Sequence, residues 1–395
     1  MRSILIYSSE FLPFKGGVAR YTADLAAMLS EGGFARVVVF TETAAGRPGE
    51  DDGPYPYEVI RAPRKRFTRR WANLGVNALS SLASILRARR GGFEWLVVAG
   101  KRPVYNVALF RRCLGRTKVA VVLFGSEWSD LEDRLTWRRR ALRRAVLGLC
   151  GSARVILMPS RYTVGRFRDV AGYPSSKTRL LYPVVDPDRV HGDEARIRRY
   201  REQYFAEPAF SLITVARLTP RKGQDQVLKA LGRMAREGAP RFRYFIVGSG
   251  WYKASLERLI AAEGLADRVV MLDGLGDADA YSLVSLCDLF AMPNREHDGN
   301  VEGFGIAFVE ANVLGVPALA GRSGGSTEAV EDGAHGLVCD GDDPDDVYRK
   351  IRLYHDDLAL RARLRAGCRR HVLERFSSAK WRAEYQAAFL DHPGA

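Results

Sequence analysis

Short apolar runs alternate along this chain with stretches of helical spacing, and the series occurs twice. Ser3 to Ser8 is the first run; a loop with Pro13, Gly16 and Gly17 follows, and Val18 to Ser30 spaces its apolar positions as a helix does. Further strands are predicted at Val37 to Thr41, Glu94 to Ala99, Val119 to Phe124 and Val155 to Met158, with helices such as Trp71 to Arg89 and Arg138 to Cys150 between them. From Pro187 to Pro208 the sequence turns polar and charged, which reads as a connection between domains. A second series then begins at Ser211 to Ala216 and continues through Phe242 to Val247, Val269 to Leu272, Leu289 to Met292, Val316 to Ala320 and Gly336 to Cys339. Strands alternating with helices of about ten residues or more need crossover connections, and so parallel sheets. The pattern predicts an α/β protein of two doubly wound sheets, one domain over 1–186 and the other over 208–377. Ligands of such sheets bind beyond the carboxyl ends of the strands, and two edges facing each other would make an interdomain cleft.

Composition agrees with two folded domains. At about 100–200 residues per domain, 395 residues make two, and 47% hydrophobic with 27% charged residues is far from a disordered composition. No stretch reaches the roughly 18 consecutive apolar residues of a membrane span. The opening MRSILIYSSEFLPF is followed by no small-residue cleavage site and reads as a buried strand rather than a signal peptide. The expected location is the cytoplasm, including the inner face of the plasma membrane. Cys113, Cys150, Cys287, Cys339 and Cys368 are scattered and odd in number, without a CxxC pair, and read as reduced, buried residues rather than as a disulfide framework or zinc site.

Charge changes the picture more than composition does. Residues 1–185 hold 32 Lys and Arg against 14 Asp and Glu, whereas the remainder holds 29 against 32. The excess is concentrated in Arg64-Lys65-Arg66, Arg69-Arg70, Arg87-Arg89-Arg90, Arg111-Arg112, and Arg138-Arg139-Arg140 with Arg143-Arg144. Such a field attracts an anionic membrane surface, a nucleic acid or an acidic substrate. Trp71, Leu74, Leu79, Leu82 and Leu86 beside these clusters are either an interfacial apolar face or core.

The candidate chemistry lies in the second half. In VARLTPRKGQD, Arg217 and Lys222 leave the carboxyl end of that half's first strand, where paired cations would neutralise a departing diphosphate. In VEGFGIAFVEANVLGVPALAGRSGGSTEAV, Glu302 lies in a loop that becomes a helix near Phe304-Gly305-Ile306, with Glu310 eight residues on. Free amides at that helix start can hold an anion. Gly321, Gly324 and Gly325 permit close approach to a ligand, and Glu328 opens the next helix. Asp340, Asp342 and Asp343, with Gly341 and Pro344 beside them, read as a turn and helix cap rather than a metal site. His297 and Asp298 resemble a catalytic base pair but fall in an insert poorly suited to fixing geometry.

RLTPRKG, VGSG at 247–250, CDLFAMPN at 287–294, VEGFGIAFVE and GGSTE at 324–328, in that order and spacing, resemble the donor half of glycosyltransferase family 4. The N-terminal strand and the Gly16-Gly17 loop resemble its other half, so the likeness covers nearly the whole chain. The insert Arg295 to Asn300 and the RKGQD are similar to bacterial phosphatidylinositol mannoside mannosyltransferases. The resemblance implies a GT-B fold of two facing Rossmann-like domains, with a final helix, about 378–395, returning to the first. It also implies retaining transfer of a hexose from a nucleotide diphosphate sugar, GDP-mannose or a UDP-sugar, to a glycan or glycolipid acceptor, with no cofactor and no metal. By position Arg217 and Lys222 would bind the diphosphate, Glu310 the ribose and Glu302 the sugar hydroxyls. Phe304, Gly305 and Ile306 would add backbone contacts, with Gly248 also at the donor and Gly16 and Gly17 facing the donor phosphates. Glu127 is an acceptor-side candidate. Phe124 departs from the pattern, standing where many members carry a donor-contacting His. A nucleotide-sugar epimerase of the same fold is an alternative, as is a nucleic-acid-binding protein. The basic clusters lack the interleaved aromatics that single-strand binding uses, so no nucleic-acid partner is expected.

Overall fold

The computed structural model describes residues 2–14, 16–42, 55–62, 70–125, 127, 136–172, 176–239 and 241–390, with the side chains of the helix Arg70–Arg90 described from Ser80 onward. The chain divides into two compact units, one formed by Met1–Val184 with Trp381–Ala395 and the other by Val185–Lys380.

The first unit carries a seven-stranded parallel sheet built from β1 (Ser3–Ser8), β2 (Arg36–Glu42), β3 (Glu58–Ala62), β4 (Trp95–Ala99), β5 (Lys118–Val122), β6 (Val155–Met158) and β7 (Thr178–Leu180), in the order β3-β2-β1-β4-β5-β6-β7. The central strands are apolar at consecutive positions because helices cover both faces. Leu5 and Tyr7 enter one core layer with Val38, Leu96 and Val121, while Ile4 and Ile6 enter the opposite layer with Val37, Val39 and Trp95. The last helix, Ser378–Leu390, completes that second layer. Tyr385 donates its hydroxyl to the Tyr182 carbonyl at 2.6 Å, and Phe389 meets Trp95 edge to face.

The second unit repeats the design with β8 (Phe210–Val215), β9 (Phe242–Val247), β10 (Val269–Leu272), β11 (Leu289–Met292), β12 (Ala318–Gly321) and β13 (Gly336–Cys339), ordered β10-β9-β8-β11-β12-β13 and parallel throughout. In each sheet the order reverses beside the first strand, between β1 and β4 and between β8 and β11. Diverging loops open a crevice there at the carboxyl edge.

Four elements differ from the sequence reading. β3 and β7 are edge strands, the first half-exposed and the second three residues long, so neither shows a buried apolar run. A helix spans Lys101–Leu109 despite Pro103, which sits in the first turn where its missing N–H has no partner to lose. The polar stretch read as a connection folds within the second unit as the helix Glu194–Tyr204. Asp193 caps it, Arg199 and Tyr200 both reach Asp279, and Tyr204 packs against Phe245.

Candidate functional site

At the second unit's switch point, β8 and β11 release the two loops that carry the predicted chemistry. After β8, Ala216 to Thr219 lead into a single turn, Pro220–Lys222, closed by Gly223 at φ 76°. A Cβ on Gly223 would lie 2.1 Å from the Pro293 carbonyl oxygen, so only glycine lets the turn pass under the chain leaving β11. After β11, buried Asn294 bonds to the Ser323 carbonyl, the Ser326 hydroxyl and the Gly321 amide, tying this loop to the one after β12. Arg295 grips Asp225 with two hydrogen bonds, 3.1 and 2.8 Å, and its amide donates to the Arg221 carbonyl.

These ties place Glu302 beside Lys222. The carboxylate Oε2 accepts from Lys222 Nζ at 2.5 Å and from Arg221 Nη1 at 2.8 Å, and Arg221 Nη1 also donates to the Val301 carbonyl. Both the Glu302 and Lys222 side chains are 13% exposed. Burial pushes the Glu302 pKa up, but the Lys222 and Arg221 charges outweigh it and hold the carboxyl at about 2. Burial lowers the Lys222 pKa, with Glu302 opposing and the Arg221 and Arg217 cations adding to the fall. Arg217 itself is exposed. The sequence reading paired Arg217 with Lys222 as diphosphate ligands; in the structure Lys222 already holds a counter-ion and Arg217 pairs with no carboxylate among the described residues.

The helix Ile306–Val313 follows Gly305, whose φ of 91° turns the chain and which offers no side-chain cap, so its first amides face no capping group. Phe304 is buried against Phe376, leaving its backbone as the part that can meet a ligand. One turn into the helix and beyond, Glu310 accepts from the Tyr281 hydroxyl at 2.9 Å.

The glycines do something other than the sequence implied. A Cβ on Gly324, at φ 68°, would lie 2.0 Å from the Glu302 carbonyl oxygen, which the Gly325 amide reaches at 2.8 Å. Gly321 packs in the same way on Asn294 and Gly248 on Ala216. Their missing side chains make room for neighbouring backbone rather than for ligand. Gly324 and Gly325 thereby fix the backbone of Glu302.

The remaining predicted residues lie in the first unit. Gly16 and Gly17 open the helix Gly17–Glu31 beyond β1, and a Cβ on Gly17 would meet nothing within 4 Å. Glu127, just beyond β5, is fully buried; Oε2 accepts from the Gly125 amide at 2.8 Å and Oε1 has no partner among the described residues. Burial raises its pKa from 4.5 to about 7, against smaller opposing effects that include the Lys101 charge. Phe124 packs edge to face on Tyr21 at 5.2 Å, an apolar role in place of hydrogen bonding.

Asp343 caps the helix Pro344–Asp356 and Asp340 accepts from the Asp342 amide, forming the expected turn. Among the described residues one cluster, Glu331, His335 and His371, has donor atoms close enough to hold a metal. Two of its three groups are engaged in the fold, whereas His371, stacked on His335, has a buried Nε2 with no hydrogen-bond partner among the described residues. The Asn312 amide nitrogen donates to carbonyls, so its oxygen accepts from His335 Nδ1–H at 2.7 Å, while His335 Nε2 accepts from the Glu331 amide and Arg375 lies 3.6 Å from the Glu331 carboxylate. This cluster precedes β13, at the amino edge of the sheet.

Of the basic clusters, Arg64, Lys65, Arg66 and Arg69 lie outside the described residues, as do the side chains of Arg70, Trp71, Leu74 and Leu79. Leu82 and Leu86 are half-buried on a helix whose Ile85 and Ala88 belong to the core. An exposed aromatic lies elsewhere: Trp137, 69% exposed, begins the helix Trp137–Ser152 beside exposed Arg138, Arg139 and Arg140. The sequence reading did not single out Trp137, Arg221, Asn294 or Tyr281. Arg221 and Asn294 fall within RLTPRKG and CDLFAMPN, which were a signal for them, whereas Trp137 and Tyr281 carry no motif.

The model of the family described as Glycosyltransferase Family 4 matches residues 15–189, and that described as Glycosyl transferases group 1 matches residues 197–371. A GDP-mannose-dependent alpha-(1-6)-phosphatidylinositol monomannoside mannosyltransferase of Mycolicibacterium smegmatis is 31% identical over 87% of this chain and 87% of its own. A GDP-mannose-dependent enzyme of Corynebacterium glutamicum that acts on the monoacylated form is 30% identical, covering 94% of this chain and 93% of its own. Among solved structures, Anabaena HepE in complex with UDP and glucose aligns with a TM-score of 0.79 at 20% identity, over 98% of this chain and 99% of its own. WaaG, a glycosyltransferase of lipopolysaccharide biosynthesis, aligns at 0.74 and 19% identity, over 98% and 100%.

Proposed function

The chain belongs to glycosyltransferase family 4 and is a glycosyltransferase of the GT-B type, and from that premise we propose that it transfers a hexose, with retention, from a nucleotide diphosphate sugar to a hydroxyl of an anionic or membrane-borne glycolipid. GDP-mannose is the favoured donor, because the relatives that match most of the chain are GDP-mannose-dependent. The observation that carries the reading is the gathering of Arg217, Arg221, Lys222 and Glu302 at one switch point, beside a helix start with uncapped amides.

Breaking the anomeric carbon–oxygen bond leaves positive charge on the sugar and negative charge on the diphosphate. Arg217 and Lys222 stabilise the latter in proportion to its growth, which lowers the barrier. Glu302 accepts hydrogen bonds from sugar hydroxyls, and Glu310 accepts from the ribose. The acceptor hydroxyl attacks from the face the diphosphate leaves, passing its proton to the departing phosphate oxygen, so that configuration is kept without a protein nucleophile. These cations already supply the positive charge a metal would bring. Trp137 with Arg138 to Arg140 gives the first unit an aromatic and basic contact of the kind that holds an anionic lipid surface, each basic residue contributing about 1 kcal/mol.

The test is incubation with GDP-mannose or UDP-glucose and a phosphatidylinositol-based glycolipid in excess chelator, with the anomeric configuration of the product read by NMR. An α-linked product is expected. A β-linked product, release of nucleotide without transfer, or activity that needs added magnesium or manganese would each overturn the corresponding part.

A further inference from the structure

Two cationic groups share one carboxylate at the second unit's switch point, and a third cation lies nearby. Glu302 Oε2 takes hydrogen bonds from both Lys222 and Arg221, while Arg217 is exposed and adds its charge to the same region. With the Glu302 and Lys222 side chains only 13% exposed, solvent screens their attraction weakly. A diphosphate can therefore approach Arg217 freely, whereas at Lys222 it competes with Glu302 for the same ammonium.

Where the displaced carboxylate can go is limited. The Glu302 carbonyl is held by the Gly325 amide at 2.8 Å, with Gly324 packed so closely that no side chain fits between. Arg221 is fixed from two sides, by its own bond to Val301 and by the Arg295 amide on its carbonyl. The backbone and the arginine stay in place, so only the Glu302 side chain can swing. Once it has left Lys222 it is a partly desolvated anion next to a second anion. A sugar on that diphosphate offers hydroxyl donors to replace the lost ammonium. A bare diphosphate offers none.

We propose that Glu302 is a specificity-determining residue which selects the sugar-bearing donor over the bare nucleoside diphosphate, by returning to Lys222 as its counter-ion whenever no sugar holds it. The inference rests on the donor reading given above and extends it. Transfer removes the hydroxyls that kept Glu302 away from the lysine, so the carboxylate competes with the product diphosphate for the same cation and drives its release. No bond is made or broken in this exchange; one anion replaces another.

Calorimetry with GDP, UDP, GDP-mannose and UDP-glucose on wild type, Glu302→Gln and Lys222→Ala tests it, with circular dichroism as the check on folding. Glutamine keeps the size and the ability to accept from a hydroxyl but loses the charge. Glu302→Gln is expected to bind the bare diphosphate roughly tenfold more tightly than wild type, about 1.4 kcal/mol, and to bind the matching nucleotide sugar no more tightly. Lys222→Ala weakens both. A general structural defect would weaken both ligands in Glu302→Gln as well, so a rise in diphosphate affinity alone separates the two explanations. Equal or weaker binding of the diphosphate by a folded Glu302→Gln would overturn the inference while leaving the donor reading intact. A wild type that binds no nucleoside diphosphate would overturn both.

Discussion

The two units share a strand order around their switch points but differ in what they place at the carboxyl edge. In the second unit each loop there is tied to another: Arg295 to Asp225, Asn294 to the chain around Gly321 and Ser326, and Gly325 to the Glu302 carbonyl. The charges there are held in place, with Glu302 bonded to both Lys222 and Arg221 and positive charge in excess. In the first unit Glu127 is buried with one oxygen that has no partner among the described residues, and the same holds for a buried oxygen of Glu10, just past β1. Among the described residues, part of its basic excess lies on an exposed helix turn, Arg138 to Arg140. On the roles proposed above, a fixed edge that gathers cations suits one invariant anionic group, and an edge with buried carboxylate oxygens beside a basic surface suits a ligand that brings its own hydroxyls and negative charge. The same fold thus presents two different edges through its loops alone.

The sharpest way to break this contrast is Lys222→Ala, expected to lower turnover by about a hundredfold or more, the scale of one lost transition-state stabiliser. The thermal midpoint should change little. Near-wild-type turnover would remove the second unit's edge from the chemistry.

A pair of glycines sharpens it next. Gly324→Ala must place a Cβ 2.0 Å from the Glu302 carbonyl oxygen at φ 68°, so it is expected to cost about 3 kcal/mol or more of stability, as backbone strain and overpacking combine. Turnover should fall with it. Gly172→Ala in the first unit has the same sign of φ, 79°, but nothing within 4 Å among the described residues, and should cost only about 1–2 kcal/mol. Denaturant unfolding of both variants gives the comparison; equal losses would show that the glycine turn is not what holds Glu302.

Glu310→Ala should weaken binding of the free nucleoside diphosphate by about 1–3 kcal/mol, the range for a lost hydrogen bond that leaves its partner unsatisfied. Calorimetry reads it directly, and unchanged affinity would exclude a ribose contact.

The smallest effects are opposite pH slopes. Glu127 has a folded pKa raised from 4.5 to about 7, so the fold holds the extra proton and loses stability as pH rises through that window. In the second unit, burial lowers the pKa of His335 to about 3, with the His371 and Arg375 charges adding to it, and that of His371 to about 4. Both must stay neutral, and stability is lost as pH falls from 6.5 toward 4. Urea midpoints from pH 4.5 to 8 should show Glu127→Gln flattening the rise-linked loss and His371→Gln the fall-linked one. If either variant keeps the wild-type slope, that group is not its source.

Most of this architecture is legible in the residues because buried parallel strands need continuous apolar runs, and β8 to β13 supply them. β3, in contrast, is EVIRA at an edge, where half-exposure permits polar positions and erases the run. The chemistry divides in the same way. Arg217, Lys222 and Glu302 stand in recognisable spacings, whereas the bond from Tyr281 to Glu310 joins residues 29 apart whose meeting depends on tertiary packing. Glycine was legible as a requirement but not as a reason. Sequence shows that Gly321, Gly324 and Gly248 need room, and only the structure shows that the room is filled by neighbouring backbone.

The last helix has a consequence for how the chain acquires its structure. The first unit draws on both ends of the sequence, Met1–Val184 and Trp381–Ala395, whereas the second is contiguous over Val185–Lys380. During synthesis the earlier segment leaves the ribosome first, yet Trp95 and Phe34 cannot find Phe389 until the segment beyond Lys380 has been made. Domains usually complete in the order they are synthesised. Here the order is inverted: the second unit can close on itself while the first waits, part of its core uncovered, for the helix Ser378–Leu390 to arrive.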